Sequence, residues 1–273
     1  MNKKLLFVAF CILNLVMNAQ ENKRNQENNI AEFHLEDGSS FKANSVEAVT
    51  KTINVGQIIV HNRISAFQYT TTADEKRKEI NSKEVRKIIY YNGDETSQIQ
   101  EKIKVKTVDK KGNFSNDTAE TFEYLLYDGK IKLYSSNVFE CMGLNACYYT
   151  HSNFYIQKRG EPYTILAVKQ KSQFSSKMGS SIENIVDAFR AVAGDCSPFN
   201  QYLNSFEKEM MQEKHLDKTL QKEYQEIYKT TLQEVKKDRE QTKKLFYIVG
   251  EKIQNRQAEI YIGIIKEYEK NCP

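Results

Sequence analysis

Over the first two thirds of the chain, apolar and polar residues alternate in short runs; from residue 180 onward the apolar residues recur every three or four positions. The first pattern predicts strands with one buried face, and the second predicts amphipathic helices. Residues 30–35 alternate, a Glu36-Asp37-Gly38-Ser39 turn follows, and residues 57–61 form a compact β-branched run after Gly56. Residues 85–91 run into Asn92-Gly93-Asp94, and residues 98–108 end at Lys110-Lys111-Gly112-Asn113. Residues 122–127 and 130–134 flank Asp128-Gly129. Asn-Gly and Asp-Gly between apolar runs signal hairpins, because both dipeptides accept the positive φ angles that tight turns require. Two more strands, residues 147–158 and 163–170, flank Arg159-Gly160-Glu161-Pro162, whereas the charged residues 73–84 read as a loop or a short helix. About eight strands at close spacing predict an antiparallel sheet, arranged as a meander, roll or sandwich.

Residues 172–181, rich in Ser, Gln, Lys and Gly, mark the boundary before the helical part. Ser180 with Glu183 is a capping-box pattern, and Ile182, Ile185, Val186, Phe189 and Val192 line one helical face. Gly194 is expected to end that helix through a left-handed cap, and Pro198 cannot continue it. Farther on, Leu216, Leu220, Tyr224, Ile227, Tyr228, Leu232 and Val235 make one stripe, and Leu245, Val249, Ile253, Ile260, Ile264 and Tyr268 make another. Between them residues 236–244 are almost wholly charged. Two stripes flanking a polar break predict an antiparallel helical hairpin; an extended coiled coil is the alternative, although the spacing holds no strict heptad. The fold class expected is α+β, an N-terminal antiparallel β-sheet followed by a C-terminal helical region with a long hairpin. The expected division is 1–19 signal peptide, 20–29 lead-in, 30–171 β-rich domain, 172–181 linker and 182–273 helical region.

The N-terminus adds a location. Met1-Asn2-Lys3-Lys4 is basic, residues 5–16 are apolar apart from Asn14, and Asn18-Ala19-Gln20 is a small-residue cleavage end. That is the layout of a secretory signal, and the apolar run is too short to span a bilayer. Cys11 follows the bulky Phe10, which does not suit a lipid-anchor site. Export from a bacterial cytoplasm is expected, to the periplasm, the outer membrane or the medium, with no transmembrane helix in the mature chain. Removing Lys3 and Lys4 takes the net charge from +4 to about +2, a balance that calls for no nucleic acid.

Export changes the meaning of the cysteines. Without Cys11 there remain Cys141, Cys147, Cys196 and Cys272, an even number in a compartment that permits oxidation. Of three connectivities, the expected one pairs Cys141 with Cys147 and Cys196 with Cys272. Cys141, Cys147 and His151 could instead ligate zinc, or Cys147 and His151 could form a nucleophile and base, but no second His lies nearby and the spacing fits no specific pattern. The chain holds no Gly-x-Ser-x-Gly elbow and no phosphate loop around Gly179. Tyr148, Tyr149, Phe154 and Tyr155 could stack on a sugar or peptide, although alternation sends half of them into a core. No catalytic, metal or cofactor residue is assigned.

Three stretches carry a resemblance: Leu126-Tyr127-Asp128-Gly129-Lys130-Ile131-Lys132-Leu133-Tyr134, then Asn153-Phe154-Tyr155-Ile156-Gln157-Lys158, then Phe189 followed by Asp195-Cys196. With the Ala19-Gln20 signal end, they resemble a loose family of uncharacterised exported proteins of Bacteroidetes. The resemblance spans residues 32–206 and implies a β-rich unit before a helix that ends in an Asp-Cys-Pro corner; here Ser197 stands between Cys196 and Pro198. It implies location and architecture, and no catalytic residue. The function expected is a non-catalytic binding or envelope-associated interaction protein, with an unknown protein or envelope component as partner and self-association through the C-terminal helices. An envelope hydrolase acting on glycans or peptides is the alternative.

Overall fold

A computed structural model describes residues 29–55, 58–92, 96–108, 114–141, 147–167, 180–212 and 216–272. The signal segment, the Gly93 turn and nearly all of the expected linker lie outside the described residues. The protein is mixed α+β, and its described residues form two compact units, residues 29–51 with 62–102 and residues 52–61 with 103–272.

In the first unit, β1 (Asn29–Leu35), most of β2 (Ser40–Val55), most of β3 (Ile58–Thr71), β4 (Asp74–Asn81), β5 (Val85–Asn92) and the first half of β6 (Thr96–Val108) lie in the order β6-β5-β1-β2-β3-β4. The Glu36–Ser39 turn forms as expected, with Gly38 at φ 89° and the Asp37 carboxylate accepting from the Ser39 N–H at 2.9 Å. Phe33 stacks on Phe41 at 5.0 Å and meets Phe67 edge-on at 5.7 Å, so aromatic rings fill one face. The charged stretch read as a loop or helix is strand β4, followed by a short 3-10 turn. Its burial explains the difference: among its described side chains only Ile80 is buried, and a sheet-edge strand keeps its charges in water.

The second unit holds a closed barrel rather than a simple meander, roll or sandwich. The second half of β6, β7 (Phe114–Asp128), β8 (Ile131–Cys141), β9 (Cys147–Lys158) and β10 (Thr164–Leu166) are successive neighbours, and β10 also pairs with β6. Antiparallel pairing from β7 through β10 reverses direction at each step. Five strands in series bring the fifth back parallel to the first, and Thr164 accordingly pairs with Val105 in a parallel ladder. A barrel of this size has an interior that side chains fill.

Alternation along β8 and β9 sorts the side chains. Ile131, Leu133, Phe154 and Ile156 face outward, into a core shared with α1 (Ser180–Ala193), α2 (Ser197–Gln212) and α5 (Leu245–Asn271). Tyr134 and Tyr155 face inward, with Ile103, Val105 and Leu166. On α5 the stripe Ala258, Tyr261, Ile265, Tyr268 seals the outer face, with Tyr261 stacked on Phe154 at 4.6 Å. α3 (Leu216–Val235) and the five-residue α4 (Arg239–Lys243) precede α5. Glu223 and Glu234 of α3 meet Arg256 and Lys252 of α5 at 2.9 and 2.6 Å, and Val235, Leu245 and Val249 form a separate small core.

Candidate functional site

The corner after α1 is where the sequence placed its best-defined covalent feature. Cys196 and Cys272 are joined by a disulfide with a Cα–Cα distance of 6.1 Å, across 76 residues. The helix ends by another route than the expected left-handed cap: Gly194 does not adopt a positive φ. Glycine is required there because a Cβ would overlap the Arg190 carbonyl oxygen. The Gly194 carbonyl accepts from the Asn200 side-chain amide at 2.8 Å. Pro198 lies in the first turn of α2, where its missing N–H has no helical partner to lose.

Around the disulfide, the three stretches that carry the family resemblance converge. Glu269, in the last turn of α5, accepts from the Tyr127 hydroxyl and from the Lys130 N–H, each at 2.8 Å. The Lys130 ammonium donates to the Cys272 carbonyl at 2.7 Å. The charged hydrogen bond to Glu269, with some burial, raises the Tyr127 pKa. Arg159 donates to the Gly129 carbonyl at 3.1 Å and pairs with the Asp128 carboxylate. Lys158 pairs with Asp195 at 2.5 Å, a contact that raises the lysine pKa and lowers that of the aspartate. Every one of these contacts holds chain to chain, so the arrangement is a covalent and polar clasp around the C-terminus.

The other predicted cysteines lie at the far end of the β8–β9 hairpin. Their side chains, and that of His151, are outside the described residues, but the strand register sets Cys141 directly opposite Cys147. Among the described residues no three His, Cys, Asp or Glu side chains gather as metal ligands. Of the four histidines only His34 has a described side chain; its Nε2 is 3.1 Å from one oxygen of the Glu32 carboxylate, whose other oxygen accepts from the Tyr91 hydroxyl at 2.9 Å.

One group was missed by sequence reading. Glu123 of β7 points into the barrel, accepts from the Thr121 hydroxyl at 3.0 Å and bonds the Tyr155 hydroxyl. Burial pushes its carboxyl up to about 8, and burial together with the Glu123 charge raises the tyrosine as well. The available signal was a single acid inside the strand run Phe122-Glu123-Tyr124-Leu125. A carboxyl buried in this way can hold a proton near neutral pH.

A third feature lies where α3 and α5 meet. Tyr228, Leu232 and Phe246 are 37, 37 and 57% exposed, and the Tyr228 and Phe246 rings are 6.3 Å apart. Tyr228 and Leu232, four residues apart, share one face of α3. No helix among the described residues is long and apolar enough to cross a membrane. No protein-family model matches the chain, and no curated protein or solved structure matches it either.

Proposed function

We propose that this chain is an exported, non-catalytic, envelope-associated interaction protein whose contact surface is the end of the helical layer where α3 and α5 meet. In this reading α3, α4 and α5 form a helical hairpin with α4 at its tip, and the Cys196–Cys272 clasp fixes the other end of α5 to the barrel. The single observation that carries it is the exposed group of Tyr228, Leu232 and Phe246. The same helices bury Val235, Leu245 and Val249 beside it, so the outward residues are surplus to the small core. Left in water they add nothing to folding, and buried against a partner each contributes on the order of 1–2 kcal/mol. The hydrolase alternative has weaker support, because Glu123, the one strongly perturbed carboxyl among the described residues, is buried.

Cell fractionation tests the reading. In bacteria producing the full chain, the processed wild-type protein is expected in the envelope fraction and Phe246→Ser in the soluble fraction, with unchanged circular dichroism. A wild-type protein that stays soluble, or a variant that stays with the envelope, contradicts it.

A further inference from the structure

We propose that the tip formed by α4 and the adjoining ends of α3 and α5 docks onto an anionic lipid bilayer, with Phe246, Tyr228 and Leu232 entering the headgroup layer and the basic residues beside them pairing with lipid phosphates. The proposal rests on the interaction reading above and names the partner of the same surface. Residues 236–244 carry Lys236, Lys237, Arg239, Lys243 and Lys244 against Asp238 and Glu240. Lys236, Lys237, Arg239 and Lys244 are exposed.

These charges sit on a folded turn. The Val235 carbonyl accepts from the Asp238 N–H at 2.9 Å and from the Thr242 hydroxyl at 2.8 Å, and the Thr242 N–H donates to the Asp238 carbonyl at 2.9 Å. Lys236 follows Leu232 by one helical turn, its N–H donating to the Leu232 carbonyl at 3.1 Å, and Lys244 is the N-cap residue of α5, two residues before Phe246. Exposed apolar side chains, two of them in ring contact, next to exposed lysine and arginine suit a bilayer surface, apolar beneath and anionic above.

Area and charge decide among occupants. A stable protein interface buries about 800 Å² on each partner, more than three side chains can supply. Interfacial lipid binding needs only a few apolar side chains when basic residues assist. A second copy docking through the same surface would bring one basic tip against another, which repels.

Flotation with vesicles tests this directly. The oxidised full chain is expected to float with vesicles of equal parts phosphatidylglycerol and phosphatidylcholine, to stay behind with phosphatidylcholine alone, and to be released by raised salt. Phe246→Ser is expected to weaken partitioning about tenfold. Replacing Lys236, Lys237 and Arg239 together by Gln is expected to weaken it about a hundredfold. Lys270→Gln, at the opposite end of α5, leaves it unchanged. Absence of flotation with the anionic vesicles, or equal flotation of the tip variants, overturns the proposal, as does concentration-dependent association without vesicles that Phe246→Ser abolishes. If fractionation shows Phe246-dependent envelope association while the purified protein ignores anionic vesicles, the lipid proposal falls and the interaction reading stands.

Discussion

Glu269 occupies the space that Gly129 leaves open. A Cβ at position 129 would overlap the Glu269 carboxylate and the Tyr127 ring, so the Asp-Gly turn does more than reverse the chain: it receives the last turn of α5. Glu269→Ala is expected to cost about 2 kcal/mol by leaving the Tyr127 hydroxyl and the Lys130 N–H without their charged acceptor. Gly129→Ala is expected to cost a similar amount by displacing the same carboxylate. The two act on one contact, so urea denaturation of the double variant is expected to show far less than the sum.

The disulfide closes the same junction covalently. Converting Cys196 and Cys272 to Ser lifts a constraint across 76 residues, and the expected loss is about 4 kcal/mol by loop entropy. Chemical denaturation under reductant is expected to give the same stability for the wild type and the double variant, and without reductant to separate them by this amount.

Glu123 makes stability depend on pH in a defined direction. Its carboxyl titrates near 4.5 when exposed and near 8 when folded, so between those values the folded state binds the extra proton. Stability from this group is complete below about pH 4.5 and declines as pH rises to about 8. At pH 7 the expected deficit is on the order of 3 kcal/mol relative to acid. Glu123→Gln is therefore expected to stabilise the protein at neutral pH and to flatten this part of the profile, measured by thermal unfolding from pH 5 to 9.

Register makes a further expectation for the remaining cysteines. Cα atoms of directly opposed antiparallel residues lie about 4.5–5.5 Å apart, within disulfide range. Peptide mass mapping of the protein without reductant is expected to find Cys141 joined to Cys147. A reduced pair at those positions contradicts this.

Local signals carried much of the architecture. The Asp128-Gly129 turn, the strand Cys147–Lys158 and the helix Leu216–Val235 follow from turn chemistry and periodicity, which depend on neighbours in sequence. Barrel closure does not, because it rests on the three-residue β10 pairing with a strand roughly 60 residues earlier. Gly194 was legible as a helix end but not in its conformation, since the deciding contact is with the Arg190 carbonyl. The pairing of Cys196 with Cys272 could be read by counting cysteines, whereas its clasp of Glu269, Lys130 and Arg159 required the two ends of the second unit to meet. Tyr228 and Leu232 lay on a predicted apolar stripe with Val235, whereas Phe246 lay on neither stripe, and only the packing of α3 on α5 sets the exposed three apart from Val235 and Val249.

The contact surface itself is tested most directly by photo-crosslinking in living cells. A benzophenone side chain in place of Phe246 is expected to form adducts with envelope components, while the same group in place of the exposed Glu161 at the β9–β10 turn forms none. Equal labelling at the two positions, or no adduct at position 246, would contradict the assignment of the α3–α5 tip as the surface through which this protein acts.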